Sequence, residues 1–173
     1  YEVDDVAVLN SSAYLKRLNA PTAWSQQIIP GIFNMTRTFC RVRASLGGGL
    51  GSKMLSIRFS ARAGKEASLL SWLHQQMLPS LAATQGIVGV HLLEGDEEAS
   101  GVTTDETRLR GSPDRIAHLI FLIEGYDDDV LVRLSMDELS PPRFHTNGAE
   151  IEMVTGLHRL AHVVTERDLP ESP

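Results

Sequence analysis

Between residues 53 and 61 apolar and polar side chains alternate, with Leu55, Ile57 and Phe59 on one parity and Ser56, Arg58 and Ser60 on the other. A period of two predicts a strand with one apolar face. Past Gly64 the period changes. Leu69, Leu70, Leu73, Met77, Leu78 and Leu81 recur at helical spacing and predict one buried stripe, flanked by Trp72. Pro79 is expected to kink or shorten the last turns, and Gly86 to end the helix. Residues 87–94 predict a second strand, apolar on both faces, and residues 115–124 a third, central one. The polar run between them, residues 95–113, reads as a long loop. Asp127, Asp128 and Asp129 suit a helix N-terminus, and Val130, Leu131, Leu134 and Leu139 supply its apolar side. Pro141-Pro142 is expected to stop that helix. A loop bearing Phe144 and His145 follows, and residues 151–165 predict the last strand.

The order β-α-β-β-α-β is a named supersecondary unit. It predicts an α+β, ferredoxin-like fold: an antiparallel sheet with its helices on one face. The first third repeats the second half of that unit in outline. Tyr1-Glu2 reads as a strand end, and residues 4–18 as a helix capped by Asp4 or Asp5. After a break at Asn19-Ala20-Pro21 and a helical turn over 22–29, residues 34–45 read as a strand. The division is then a partial, C-terminal half unit over 1–46, a glycine-rich linker over 47–52, a complete unit over 53–165 and a tail over 166–173. On this reading roughly 50 to 70 residues of a missing half lie before Tyr1. Gly47-Gly48-Gly49-Leu50-Gly51 looks like a phosphate loop only in composition. The G-x-x-x-x-G-K-[ST] spacing is not met, and a strand follows where a helix N-terminus would be needed.

The run Leu69-Leu70-Ser71-Trp72-Leu73, Leu78-Pro79-Ser80-Leu81 and Gly86-Ile87-Val88-Gly89-Val90 resembles the dimeric α/β-barrel superfamily, with its antibiotic-biosynthesis-monooxygenase-like and EthD-like members. In that superfamily the first helix is followed by a similar short glycine-led entry into the second strand. The resemblance spans about residues 54–165, with a partial copy before it. It implies two ferredoxin-like sheets packed face to face, supplied by a homodimer or by a tandem intrachain pseudo-dimer. It implies no particular chemistry, because the superfamily holds cofactor-independent oxygenases, isomerases and haem-binding proteins alike.

Composition narrows the classes. An apolar fraction of 42% and a charged fraction of 22% are ordinary for a globular chain of 173 residues. The net charge is -6 and the 16 Lys and Arg are scattered, which speaks against a nucleic-acid partner. No apolar run approaches a membrane span and no signal peptide is visible, so the expected compartment is the cytoplasm. The single cysteine, Cys40, allows no intrachain disulfide. As a nucleophile it would need a nearby base; on a strand it reads more simply as a small buried residue.

There is no G-x-S-x-G and no H-E-x-x-H. The candidate chemistry lies with histidines in predicted strands: His91, His118, His158 and His162. In the βαββαβ order the first strand lies between the third and fourth, and the second flanks the third. That places Arg58 near His118, with His91 on the other side. The expected catalytic set is His118, His91 and Arg58, with the histidines moving a proton and the arginine holding an anionic group. Trp72, His158 and His162 are the expected substrate-binding residues, Trp72 as a wall for an aromatic ligand or as core. The plainer reading of each histidine is a hydrogen-bonded residue between two sheets. No cofactor is expected. A haem would take one of the four histidines as axial ligand, and a metal would need Glu152 beside His158 and His162. The leading expectation is a small-molecule protein, a cofactor-independent oxygenase or isomerase acting on a small aromatic or carbonyl compound. The alternative is a non-catalytic ligand-binding or assembly module.

Overall fold

A computed structural model describes residues 3, 5–32, 35–111 and 115–163. The expected strand end at Tyr1-Glu2, the cap at Asp4 and the tail over 166–173 lie outside the described residues. Five strands form one antiparallel sheet: β1 Cys40–Gly47, β2 Lys53–Phe59, β3 Ile87–Gly95, β4 Leu119–Gly125 and β5 Val154–Arg159. Their order across the sheet is β1-β3-β4-β2-β5. The helices are α1 Ser12–Leu18, α2 Ala23–Ile28, α3 Glu66–Trp72, α4 Leu78–Ala82, α5 Glu97–Ser100, α6 Asp105–Arg110, α7 Asp128–Met136 and α8 Pro141–Thr146. The architecture is mixed α+β.

One sheet face is the core. Leu55, Ile57 and Phe59 of β2 are buried opposite Ile123, Phe121 and Leu119 of β4, and Val90 and Leu92 of β3 continue the layer. Leu69, Leu73, Met77, Leu78 and Leu81 from the first long helix, and Leu131 and Leu134 from α7, belong to the same cluster. Burying one such leucine contributes about 2 kcal/mol. That stripe carries the first helix straight through its proline. Pro79 has no N–H for the Gln75 carbonyl, and its ring would crowd that carbonyl in a regular α-helix. The chain answers with a π turn, Leu73–Met77, in which the Leu78 N–H reaches back to the Leu73 carbonyl. The helix therefore runs on from α3 into α4, neither ended nor shortened at Pro79.

Pro141-Pro142 also acts otherwise than expected. The prolines occupy the first positions of α8, where a missing N–H costs nothing. This helix delivers Phe144 to the core, fully buried and edge-to-face against Phe59 at 5.0 Å and Trp72 at 5.2 Å between ring centres. The acidic start of α7 is as the sequence predicts: Asp127 caps it by accepting the N–H groups of Asp129 and Val130, and Asp128 pairs with Lys53.

The run 95–113 contains two short capped helices. Asp96 caps α5 through the Ala99 N–H, and Thr104 caps α6 through the Thr107 N–H. The N-terminal segment packs on them. Phe39 donates its N–H to Ser100 Oγ (2.8 Å), Ala117 to Thr38 Oγ1 (3.0 Å) and Asp105 to Asn19 Oδ1 (2.9 Å). The first strand is later than expected, because residues 36–39 serve this packing before β1 begins. Among the described residues no helix is long and apolar enough to cross a membrane.

Candidate functional site

The second sheet face carries half-buried and exposed side chains, while α3, α4, α7 and α8 supply the core cluster on the other. The register sorts it into three rows. One runs Val42, Leu93, Ile120, Arg58, Val154; the next Ser45, His91, Leu122, Ser56, Gly156; the third Gly47, Gly89, Glu124, Met54, His158. Polar groups therefore stand among apolar ones on one open surface.

His91 is the best-held group on it. Its Nδ1 lies 2.7 Å from Ser45 Oγ, directly across from it on β1, and its Nε2 lies 3.7 Å from Glu124 Oε1. The other Glu124 oxygen accepts the N–H of Gly51 at 3.0 Å, tying the glycine-rich connection to β4. With hydrogen on Nε2, the ring turns that hydrogen toward the carboxylate and its Nδ1 lone pair toward the serine hydroxyl. The ring fits because Gly89 has no side chain: a Cβ there would stand 2.9 Å from His91 Nε2.

The arrangement occurs twice. His158 Nε2 lies 2.8 Å from Ser56 Oγ, and a Cβ on Gly156 would stand 2.8 Å from that nitrogen. In each case a histidine folds over the glycine two residues before it and reaches the residue paired with that glycine: Glu124 opposite Gly89, Ser56 opposite Gly156. The sequence signal was the pair of triplets Gly89-Val90-His91 and Gly156-Leu157-His158, whose period of two puts glycine and histidine on one face. Ser45 and Glu124 carry no such mark, since only the register of β1 and β4 brings them to His91.

The structure thus gathers Arg58, His91 and His158 on one face and leaves three expected residues off it. Trp72 is 8% exposed and packs inside the core against Phe144. His118 precedes β4, because the chain leading into that strand is held by Thr38. Its side chain is 58% exposed and its Nδ1 lies 2.8 Å from Glu97 Oε1. It borders a cleft of about 570 Å³ with Glu66, Glu94, Glu97 and Glu150. His162 is exposed beyond β5, which ends at Arg159 where its partner β2 begins at Lys53. His118 and His162 therefore do not lie within strands as the periodicity predicts.

Arg58 stands in register with Ile120 and Val154 and has no hydrogen-bond or ion-pair partner among the described residues. Cys40 is no candidate nucleophile: burial pushes its thiol pKa up, and its Sγ–H points to the Thr38 carbonyl at 3.6 Å. Among the described residues no three His, Cys, Asp or Glu side chains are grouped so as to hold a metal ion. Comparison of the chain with models of known protein families, with curated proteins and with solved structures gives no match.

Proposed function

We propose that the chain is a small-molecule protein of the dimeric α/β-barrel kind, in which His91 accepts a proton from a phenol or carbon acid bound on the open sheet face. The carrying observation is the His91 geometry, with one ring nitrogen on Ser45 Oγ and the other facing Glu124. A neutral imidazole whose tautomer is fixed by a carboxylate presents a defined lone pair, as general-base catalysis requires. The serine hydroxyl stands between that lone pair and the ligand and relays the proton. Proton abstraction of this kind opens both cofactor-independent oxygenation and isomerisation of aromatic or carbonyl compounds.

The fold supports the reading. The order β3-β4-β2-β5 with helices on one face fits a ferredoxin-like βαββαβ unit, to which β1 adds a strand beside β3. A second such sheet, from another copy or from a tandem unit, would cover the open face and turn it into the wall of a cavity.

The test is exchange of carbon-bound hydrogen in D2O, followed by proton NMR over a panel of β-dicarbonyl and phenolic compounds. The chain is expected to catalyse exchange, and His91→Ala to lower the rate about 100-fold or more with the circular dichroism unchanged. Exchange at the same rate in the variant, or none with the native chain, removes the role.

A second reading, a non-catalytic assembly module, is favoured by the outer edge of β5, which pairs with no strand among the described residues and where Val154 and Leu157 are exposed. Gel filtration over a range of concentrations distinguishes it.

A further inference from the structure

We propose that the ligand of the open face is an elongated monoanion, its carboxylate held by Arg58 and its phenolic or enolisable end at Ser45 and His91. This rests on the reading of His91 as proton acceptor and adds the class of molecule.

Three observations lead there. The first is Arg58 itself. Other half-buried arginines are engaged: Arg62 donates to the His145 carbonyl at 3.0 Å, and Arg37 lies over the Phe39 ring at 5.8 Å. The exposed Arg41 and Arg43 pair with Asp96 and Glu94. Arg58, half-buried between Ile120 and Val154, has no such partner among the described residues. Its nitrogens remain open to the solvent on that face, and the planar fork of a guanidinium matches a carboxylate through two parallel hydrogen bonds.

The second is polarity. Arg58 lies in the first row and Glu124 in the third, with His91 in the row between. An anion is drawn to the Arg58 end of the face and repelled from the Glu124 end, so a ligand with one charge has one favoured direction.

The third is distance. β2 and β3 flank β4, so their backbones lie about 9.6 Å apart, and the one-row offset adds about 6.8 Å along the strands. The Cα atoms of Arg58 and His91 are then about 12 Å apart. The His91 ring turns away from this gap, toward Ser45 and Glu124, so only the arginine can shorten it, and the ligand's carboxylate and ionisable oxygen need a separation of about 8–10 Å. The floor between them is Leu93, Ile120 and Leu122, which suits a flat apolar body. A para-hydroxyphenyl acid has this shape.

The experiment is an NMR titration of the full chain with 4-hydroxycinnamate and with its methyl ester. The acid is expected to bind at least about tenfold more tightly than the ester, shifting resonances of Ile120, Leu122 and His91. Arg58→Gln should abolish that preference and Arg58→Lys retain part of it. Equal affinity for acid and ester, a preference that survives Arg58→Gln, or binding of neither compound overturns the proposal. The exchange assay with His91→Ala uses uncharged β-dicarbonyls as well, so failure of the anion site and failure of the proton acceptor give separate results.

Discussion

His91 keeps its ring over Gly89, so close that a Cβ on the glycine would stand 2.9 Å from Nε2. The contact is with the far end of a side chain, and the ring can swing away. Gly89→Ala is therefore expected to cost about 1 kcal/mol or less in stability while displacing His91 from Ser45 and Glu124. Denaturant unfolding and the deuterium-exchange assay together check this: the midpoint should move little and the exchange rate should fall toward that of His91→Ala. A large loss of stability with exchange intact would show that the glycine serves the strand and not the ring.

Phe144 presents the opposite case, a residue whose removal is felt throughout the core. It is fully buried and meets Phe59 and Trp72 edge-to-face. Phe144→Ala should destabilise the fold by about 3–5 kcal/mol, read as a lower urea midpoint at unchanged slope. A change below about 1 kcal/mol would mean that α8 does not close the core.

Asp96 gives the chain an acid-sensitive joint. The Ala99 N–H donated to its carboxylate, and then the Arg41 guanidinium, hold its pKa below the ordinary 3.8, against the opposing effect of desolvation. A carboxyl with a lowered folded pKa favours folding above its unfolded value, and that contribution fades as the pH falls through the lowered one. The native chain should lose stability below about pH 4 more steeply than Asp96→Asn. Parallel pH profiles for the two would rule out this contribution.

Legibility in the sequence follows how many faces of an element are buried. β2 shows a clean alternation because Leu55, Ile57 and Phe59 meet helices while Ser56 and Arg58 face outward. The stripe from Leu69 to Leu81 is equally plain, since the first long helix presents one side to the sheet. The small helices α5 and α6 are too short for a stripe and are held by caps at Asp96 and Thr104, which resemble ordinary loop residues. α8 was hidden by its prolines, which stop a helix from within and start one from its first turn. Of the site, the periodicity could place Arg58, His91 and His158 on strands. It could not supply Ser45 or Glu124, because which residues face each other depends on register between strands far apart in the chain. It extends the strands past their ends at His118 and His162, because Thr38 takes the Ala117 N–H ahead of β4 and β5 stops where its partner β2 begins.

The two margins of the sheet differ in kind. β1 slips register between Val42 and Ala44, and its Arg41 and Arg43 are paired with Asp96 and Glu94; a kinked border lined with ion pairs is a poor template for a foreign strand. β5 is regular and exposes Val154 and Leu157. Among the described residues, then, β5 leaves a flank for strand addition and β1 offers a poor one. Chains joined through β5 would use up that flank of both, so such growth would close at a pair and not propagate into a fibre.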